Sequence, residues 1–235
     1  MTAELKAARH DAILSITLSN PGRGNALDPS MLTAAIETLS AVDRDDSVRA
    51  VVLAGEGSQF SQGMELPQDA PGRLQALESL HSLVDMLRSY RKPVIAAVDG
   101  LAADAGLALA LACDLVVATR QAQFALTPAQ QGTWATGGAT WLLAQALPPA
   151  LLAELHLDPA PLGAQRLHAA GVVNRLAADG RGLQEALAWA ERIAAQGSAS
   201  PQATELLKEM LRDARGQSLE QHFNGEKRRL AARRA

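Results

Sequence analysis

The stretch that most constrains this 235-residue chain is Lys92 to Thr119, "KPVIAAVDGLAADAGLALALACDLVVAT". It reads as a buried strand, a turn of very small residues, an apolar helix over 106–112 and a second buried strand. Two continuous apolar strands joined through a helix belong to a parallel sheet with right-handed crossovers. The neighbouring segments extend the pattern. "AILSITLS" alternates apolar and polar residues as a half-buried strand does. Asp28 is placed to cap a helix that begins at Pro29 and runs to about Val42. "VRAVVLAGEG" is another buried strand, Leu74 to Arg88 has helical spacing, and "AQFAL" is a short strand. From about Pro148 the chain turns to helical spacing with one expected strand, "AGVVNRL". The sequence thus predicts an α/β fold, with a core over residues 1–180 and a helical region over 181–235.

Composition removes several function classes. Apolar residues make up 48% and charged residues 20%, and the formal net charge is −3. No basic excess points to nucleic acid, and aromatic residues, at 3%, are too few to stack bases. The basic cluster Lys227, Arg228, Arg229, Arg233 and Arg234 reads as a solvated helix end. Apolar runs are interrupted by Asp104 and Asp114, so none is expected to span a membrane. Cys113 is the single cysteine, which fits a core residue in a reducing, cytoplasmic setting. The N-terminus lacks the apolar core of a signal peptide. No His, Cys or Asp cluster has metal-ligand spacing. "GEG" at 55–57 is no dinucleotide fingerprint, because Phe60 stands where a third glycine belongs.

Two strands end in similar small-residue devices, "GEGSQFSQGM" and "DGLAADAGLA". Gly63 and Ala105 are expected at or just before helix starts, where amides lack partners within the helix. Two readings follow from spacing. The devices are tight strand-to-helix turns, or they present two backbone amides to one ligand oxygen, as an oxyanion hole does.

The ordered segments "FSQGMEL", "KPVIAAVDGLAADAGLALALACDLVVAT", "AQFALTPAQQGTWATGGATWLL" and "LHAAGVVNRL" resemble the enoyl-CoA hydratase/isomerase, or crotonase, family over nearly the whole chain. The resemblance implies a spiral of ββα units and a helical C-terminal region that assembles trimers, often paired into hexamers. It implies an acyl-CoA thioester as substrate, coenzyme A being part of that substrate, with no separate cofactor. The thioester carbonyl would sit between the amides of Met64, after Gly63, and Ala105, before Gly106. Asn25, Ala26 and Leu27 would meet the adenine end of CoA and Arg23 a phosphate, while Lys208 would reach a neighbouring subunit's CoA. Trp134 would wall the acyl site, together with the polar groups of Thr127, Gln130, Gln131, Thr133 and Thr136.

The pattern breaks at two positions. Hydratases of the family resemble one another in two glutamates, and the matching positions here are Ala108 and Pro128. Asp104 stands where the family usually has glycine. It is either a relocated base or a helix cap accepting from amides near Leu107. Glu65 reads as structural, and His81 with Asp85 as a pair on one helix face. Ala103, Ala105 and Ala108 occupy the places a serine nucleophile would need, which removes the related peptidase chemistry. The alternatives are an acyl-CoA enzyme with an atypical site, its reaction a hydration, isomerisation, decarboxylation or thioester hydrolysis, or an acyl-CoA-binding relative without turnover.

Overall fold

The computed structural model describes residues 3–126, 135–197, 201–214 and 216–232. Six strands form the main sheet: β1 (Glu4–His10), β2 (Ile13–Ser19), β3 (Ala50–Gly55), β4 (Val94–Val98), β6 (Leu115–Thr119) and β9 (Arg175–Ala177). They lie side by side in that order. Only the β1–β2 pair is antiparallel. A second sheet joins β5 (Leu101–Ala103), β7 (Gln123–Ala125) and β8 (Leu162–Gly163). One turn of the spiral leaves the large sheet, adds a short strand to the small one and returns through a helix. The steps β4, β5, α3 (Ala105–Ala112) and β6 show this directly.

Earlier in the chain run α1 (Pro29–Val42) and α2 (Ala70–Ser89). After α3 come α4 (Ala139–Ala144), α5 (Pro149–Leu157), α6 (Ala164–Ala169), α7 (Gly182–Gly197), α8 (Pro201–Ala214) and α9 (Leu219–Ala232). Asp28 caps α1 as its sequence position predicts, accepting from the Met31 amide at 2.8 Å. Asp69 does the same for α2 at Gly72.

Apolar residues alternate to the two faces of the sheet, so each face needs a cover. Val51, Leu53, Val94, Ala96 and Val98 face α1, α2 and α3 in the larger core. Val52, Ala54, Ile95, Ala97 and Val117 face α7, which buries Ala186 and Ala190 against them.

Several elements differ from the sequence expectation. The first residues form β1, whose side chains are almost all exposed. An edge strand buries no apolar stripe, so its sequence carries no strand period. Strand β2 is buried on both faces, Ser15 and Ser19 included, rather than half-buried. The expected strand at "AGVVNRL" is confined to Arg175–Ala177, past the left-handed Gly171. The small-residue turn after β4 contains a strand of its own, β5.

Candidate functional site

The junction lies beyond the C-terminal ends of β3 and β4. After β3 the chain folds tightly at Gly55, where a Cβ would stand 2.1 Å from the Gln59 carbonyl oxygen and 2.3 Å from that of Phe60. Phe60 and Ser61 both donate to Leu101 O, at 3.1 and 3.0 Å, and Ala103 N donates to Ser61 O at 2.8 Å. The loop is therefore laced to β5. Gly106 lets this happen, since a Cβ there would sit 2.6 Å from Ser61 O and 2.7 Å from Ser61 Cβ.

The next residues meet the start of α3. Gly63 has φ +119°, and a Cβ on it would lie 3.4 Å from Asp104 Cβ and 3.8 Å from Asp104 Oδ2. The peptide before Met64 and the peptide before Ala105 are thus neighbours. Met64 forms an isolated parallel bridge with Leu27. Leu27 donates to Gly63 O at 2.8 Å and accepts from Glu65 N at 2.8 Å. In a parallel bridge this turns the N–H of the intervening residue, Met64, away from Leu27. Ala105 is the first residue of α3, where the amide has no helical acceptor. Among the described residues neither amide donates a main-chain hydrogen bond outside the regular ladders. The expectation that Gly63 precedes a helix is corrected, for α2 begins only at Ala70. A bridge, not a helix end, orients the first amide.

Asp104 holds φ +47° and ψ −115°, a conformation that suits glycine. Its N–H donates to Ala125 O at 3.0 Å and its carbonyl accepts from Ala108 N at 2.9 Å. Its side chain makes no capping hydrogen bond, so the expected cap near Leu107 is not formed. A backbone with positive φ does not aim a side chain at the N2 and N3 amides as an extended N-cap residue does.

The loop after β2 forms a third wall. Asn25, with φ +55° and buried, donates through Nδ2 to Glu56 O at 2.9 Å and Gln59 O at 2.7 Å. Asn20 holds the same loop, donating to Asn25 Oδ1 through its amide and to Ala26 O through Nδ2. Asn25 is thus a staple between two loops. Ala26 and Leu27 are buried, their side chains part of the wall. Arg23 is exposed and pairs with Glu65 at 2.7 Å. A sequence signal for the Asn25 staple is present in "GRGNALD", since asparagine after glycine tolerates the left-handed region.

Other expected residues are not brought together here. Lys208 on α8 donates to Asp114 Oδ2 at 2.6 Å and to Lys92 O at 2.8 Å, at the N-terminal end of β4 and β6. Within the chain its ammonium is paired at the end of the sheet opposite the junction. His81 and Asp85 are exposed on α2. Trp134, Pro128, Thr127, Gln130, Gln131 and Thr133 lie outside the described residues. Among the described residues no group of His, Cys, Asp and Glu forms a metal site. No described helix is long and apolar enough to cross a membrane.

The family model described as enoyl-CoA hydratase/isomerase matches residues 8–233. The chain belongs to the enoyl-CoA hydratase/isomerase family. A crystal structure of an enoyl-CoA hydratase from Polaromonas sp. JS666 superposes with a TM-score of 0.92 at 39% identity, covering 97% of this chain and 90% of that one. Among curated relatives, the 2,3-dehydroadipyl-CoA hydratase of Escherichia coli is 31% identical over 93% of this chain and 85% of its own length. The 1,2-epoxyphenylacetyl-CoA isomerase of the same organism is 31% identical over 95% of this chain and 88% of its own. The chain is a crotonase-family acyl-CoA enzyme in its sequence relationships. Equal similarity to a hydratase and an isomerase leaves the reaction to be read from the site.

Proposed function

We propose that the chain acts on an acyl-CoA thioester through an enolate-like state, with the thioester oxygen accepted by the amides of Met64 and Ala105. The observation that carries this is the contact of Gly63 with Asp104. It makes neighbours of two peptides whose N–H groups, among the described residues, donate no main-chain hydrogen bond outside the ladders. Polarising the carbonyl acidifies the adjacent carbon and stabilises the negative charge that develops on oxygen. Each such donor is worth about 10²–10³ in rate. The α3 N-terminus adds partial positive charge at the same place.

Arg23 is exposed beside this junction and suits a CoA phosphate, with backbone at Ala26 and Leu27 towards the adenine. Trp134 is assigned to the acyl wall. Asp104 is the carboxylate beside Ala105 and serves as the acid–base group. A carboxylate that takes one proton from the substrate and returns it needs no second acid. The region 181–235 is assigned to homo-oligomer assembly, a trimer or a dimer of trimers. Exposed Leu207, Leu211 and Phe223 on α8 and α9 support this. Residues at the glutamate positions, Ala108 and Pro128, favour an atypical reaction over standard hydration. They also support the second reading, an acyl-CoA binder without turnover.

Incubating the protein with butyryl-CoA in D₂O and following deuterium uptake at the α-carbon by mass spectrometry tests the proposal. Exchange that is lost in Asp104→Asn is expected. Tight binding of the thioester with no exchange establishes the second reading instead, and no binding at all rejects both.

A further inference from the structure

The loop after β2 is tied to the peptide that carries the Met64 N–H. Leu27 brackets Met64: its N–H donates to Gly63 O and its carbonyl accepts from Glu65 N, each at 2.8 Å. Beside it, Gln62 N donates to Gly24 O at 2.9 Å. The Gly63 carbonyl and the Met64 N–H belong to one planar trans peptide and point to opposite sides of it. Whatever fixes the carbonyl therefore aims the N–H. The partner that fixes it is Leu27.

Leu27 is held from both sides. On one side Asp28 caps α1 by accepting from Met31 N. On the other stands Asn25, buried and with φ +55°. Its Nδ2 donates to Glu56 O at 2.9 Å and to Gln59 O at 2.7 Å, and its Oδ1 accepts from Asn20 N at 3.0 Å. Both Nδ2 hydrogens are thus used within the protein. Glu56 and Gln59 belong to the turn after β3, the same turn that runs on to Gly63 and Met64. Asn25 therefore joins the loop that grips the Met64 peptide to the loop that contains it.

We propose that Asn25 is a positioning residue for the Met64 amide. Its side chain sets the approach of Leu27 to Gly63, and the rigid peptide transmits that setting to the N–H that faces the thioester oxygen. The inference rests on the acyl-CoA reading of the junction and adds to it a residue that acts through Leu27. An oxyanion donor works only at about 2.7–3.1 Å from the oxygen it serves, and a misplacement of about 1 Å costs up to about 10²-fold in rate. A loosened staple is therefore read in the chemistry as well as in stability.

Asn25→Gly tests this, because glycine keeps the left-handed backbone and removes only the side chain. With saturating butyryl-CoA in D₂O, α-proton exchange per folded molecule is expected to fall about 10- to 100-fold. Saturation takes any change in affinity out of the comparison, and urea unfolding supplies the folded fraction. The carbonyl band of bound ¹³C-labelled butyryl-CoA is expected to move from its position in the parent back towards its frequency in water. A purely structural role shifts the urea midpoint and leaves the exchange rate and the band at their parent values. That result overturns the inference and leaves the acyl-CoA reading standing. Asn25→Asp, which keeps Oδ1 for Asn20 N but turns an oxygen on the two carbonyls, takes the same measurements where the glycine variant does not fold. Where the parent binds the thioester without exchange, the band comparison alone decides. A parent that binds no acyl-CoA thioester ends the acyl-CoA reading, and the role given to Asn25 falls with it.

Discussion

The two ends of strand β4 follow opposite rules. At its N-terminal end polar groups find partners within the chain. Val94 N donates to Asp114 Oδ2 at 2.7 Å, Asp114 accepts from Lys208, and Lys208 also donates to Lys92 O. The Lys92 ammonium in turn donates to Val42 O and Asp45 O. Burial pushes the Asp114 carboxyl above its usual range and the Lys208 ammonium below its own, while their mutual attraction opposes both shifts. At the C-terminal end the walls are glycine and alanine, and the amides of Met64 and Ala105 face away from the ladders. Charge at one end holds α8 to the sheet. Backbone polarity at the other end is what the proposed thioester site would use.

The largest effect expected from breaking this contrast is at the N-terminal end. Lys208→Met leaves Asp114 buried without its cation and costs about 3 kcal/mol, in the range for a buried pair that loses one partner. Urea unfolding measures it, and α-proton exchange per folded molecule is expected to stay within about twofold of the parent. The same variant carries a pH signature. The raised Asp114 pKa means the folded state binds the proton more tightly than the unfolded state, whose value is near 3.8. That contribution is fully present below 3.8 and is lost as pH rises through the folded value. The deficit of Lys208→Met therefore shrinks as the solution is acidified from neutral towards the unfolded-state value. A deficit constant over this range contradicts the assignment.

Next in size is Gly106→Ala, which pushes Ser61 away from the start of α3. Small misplacement of a reacting geometry costs about 10²-fold in rate, and overpacking of this kind costs about 1–3 kcal/mol. Exchange should therefore fall much further than stability, the reverse of Lys208→Met. Asp104→Gly sharpens the contrast from within the site. A non-glycine residue in this conformation stores about 1–3 kcal/mol of strain, so the variant is expected to melt no lower than the parent. It should nevertheless lose exchange, because the carboxylate is gone. Unfolding and turnover measured on one preparation separate the two effects. The smallest change is at the rim. Arg23 and Glu65 are 66% and 38% exposed, and solvent screens such a pair to little net stability. Arg23→Ala should leave urea stability unchanged and weaken CoA thioester binding, more so at low salt, as calorimetric titration would show.

Much of the fold is legible in the sequence because its signals are local. Asp28 before Pro29 is a cap wherever it is placed, and the apolar runs at Val51–Leu53 and Val94–Val98 have only a buried sheet to enter. Strand β1 is not legible, since its pairing with β2 comes from backbone hydrogen bonds that any side chains permit. At the site, the small residues around Ala105 announce a close approach, and Ser61 proves to be what approaches Gly106. The partner itself cannot be read, because no periodicity links residue 61 to residue 106. Lys208 shows the same limit from the other side. A lone lysine in a helical region carries no mark of an internal partner, and its pairing with Asp114 is set by where α8 meets the sheet. Nothing in the sequence marks the approach of left-handed Gly137 to Ala108 and Leu80, which depends on three elements separated along the chain.

The claim that the Met64 and Ala105 amides receive a thioester oxygen is tested most directly by isotope-edited infrared spectroscopy. Butyryl-CoA labelled with ¹³C at the carbonyl would be bound to Asp104→Asn, which is expected to hold the ligand without exchanging its α-protons. Two converging N–H donors lengthen the C=O bond, so the labelled band is expected at lower frequency when bound than in water. A bound ligand whose band stays at or above its frequency in water would contradict the account.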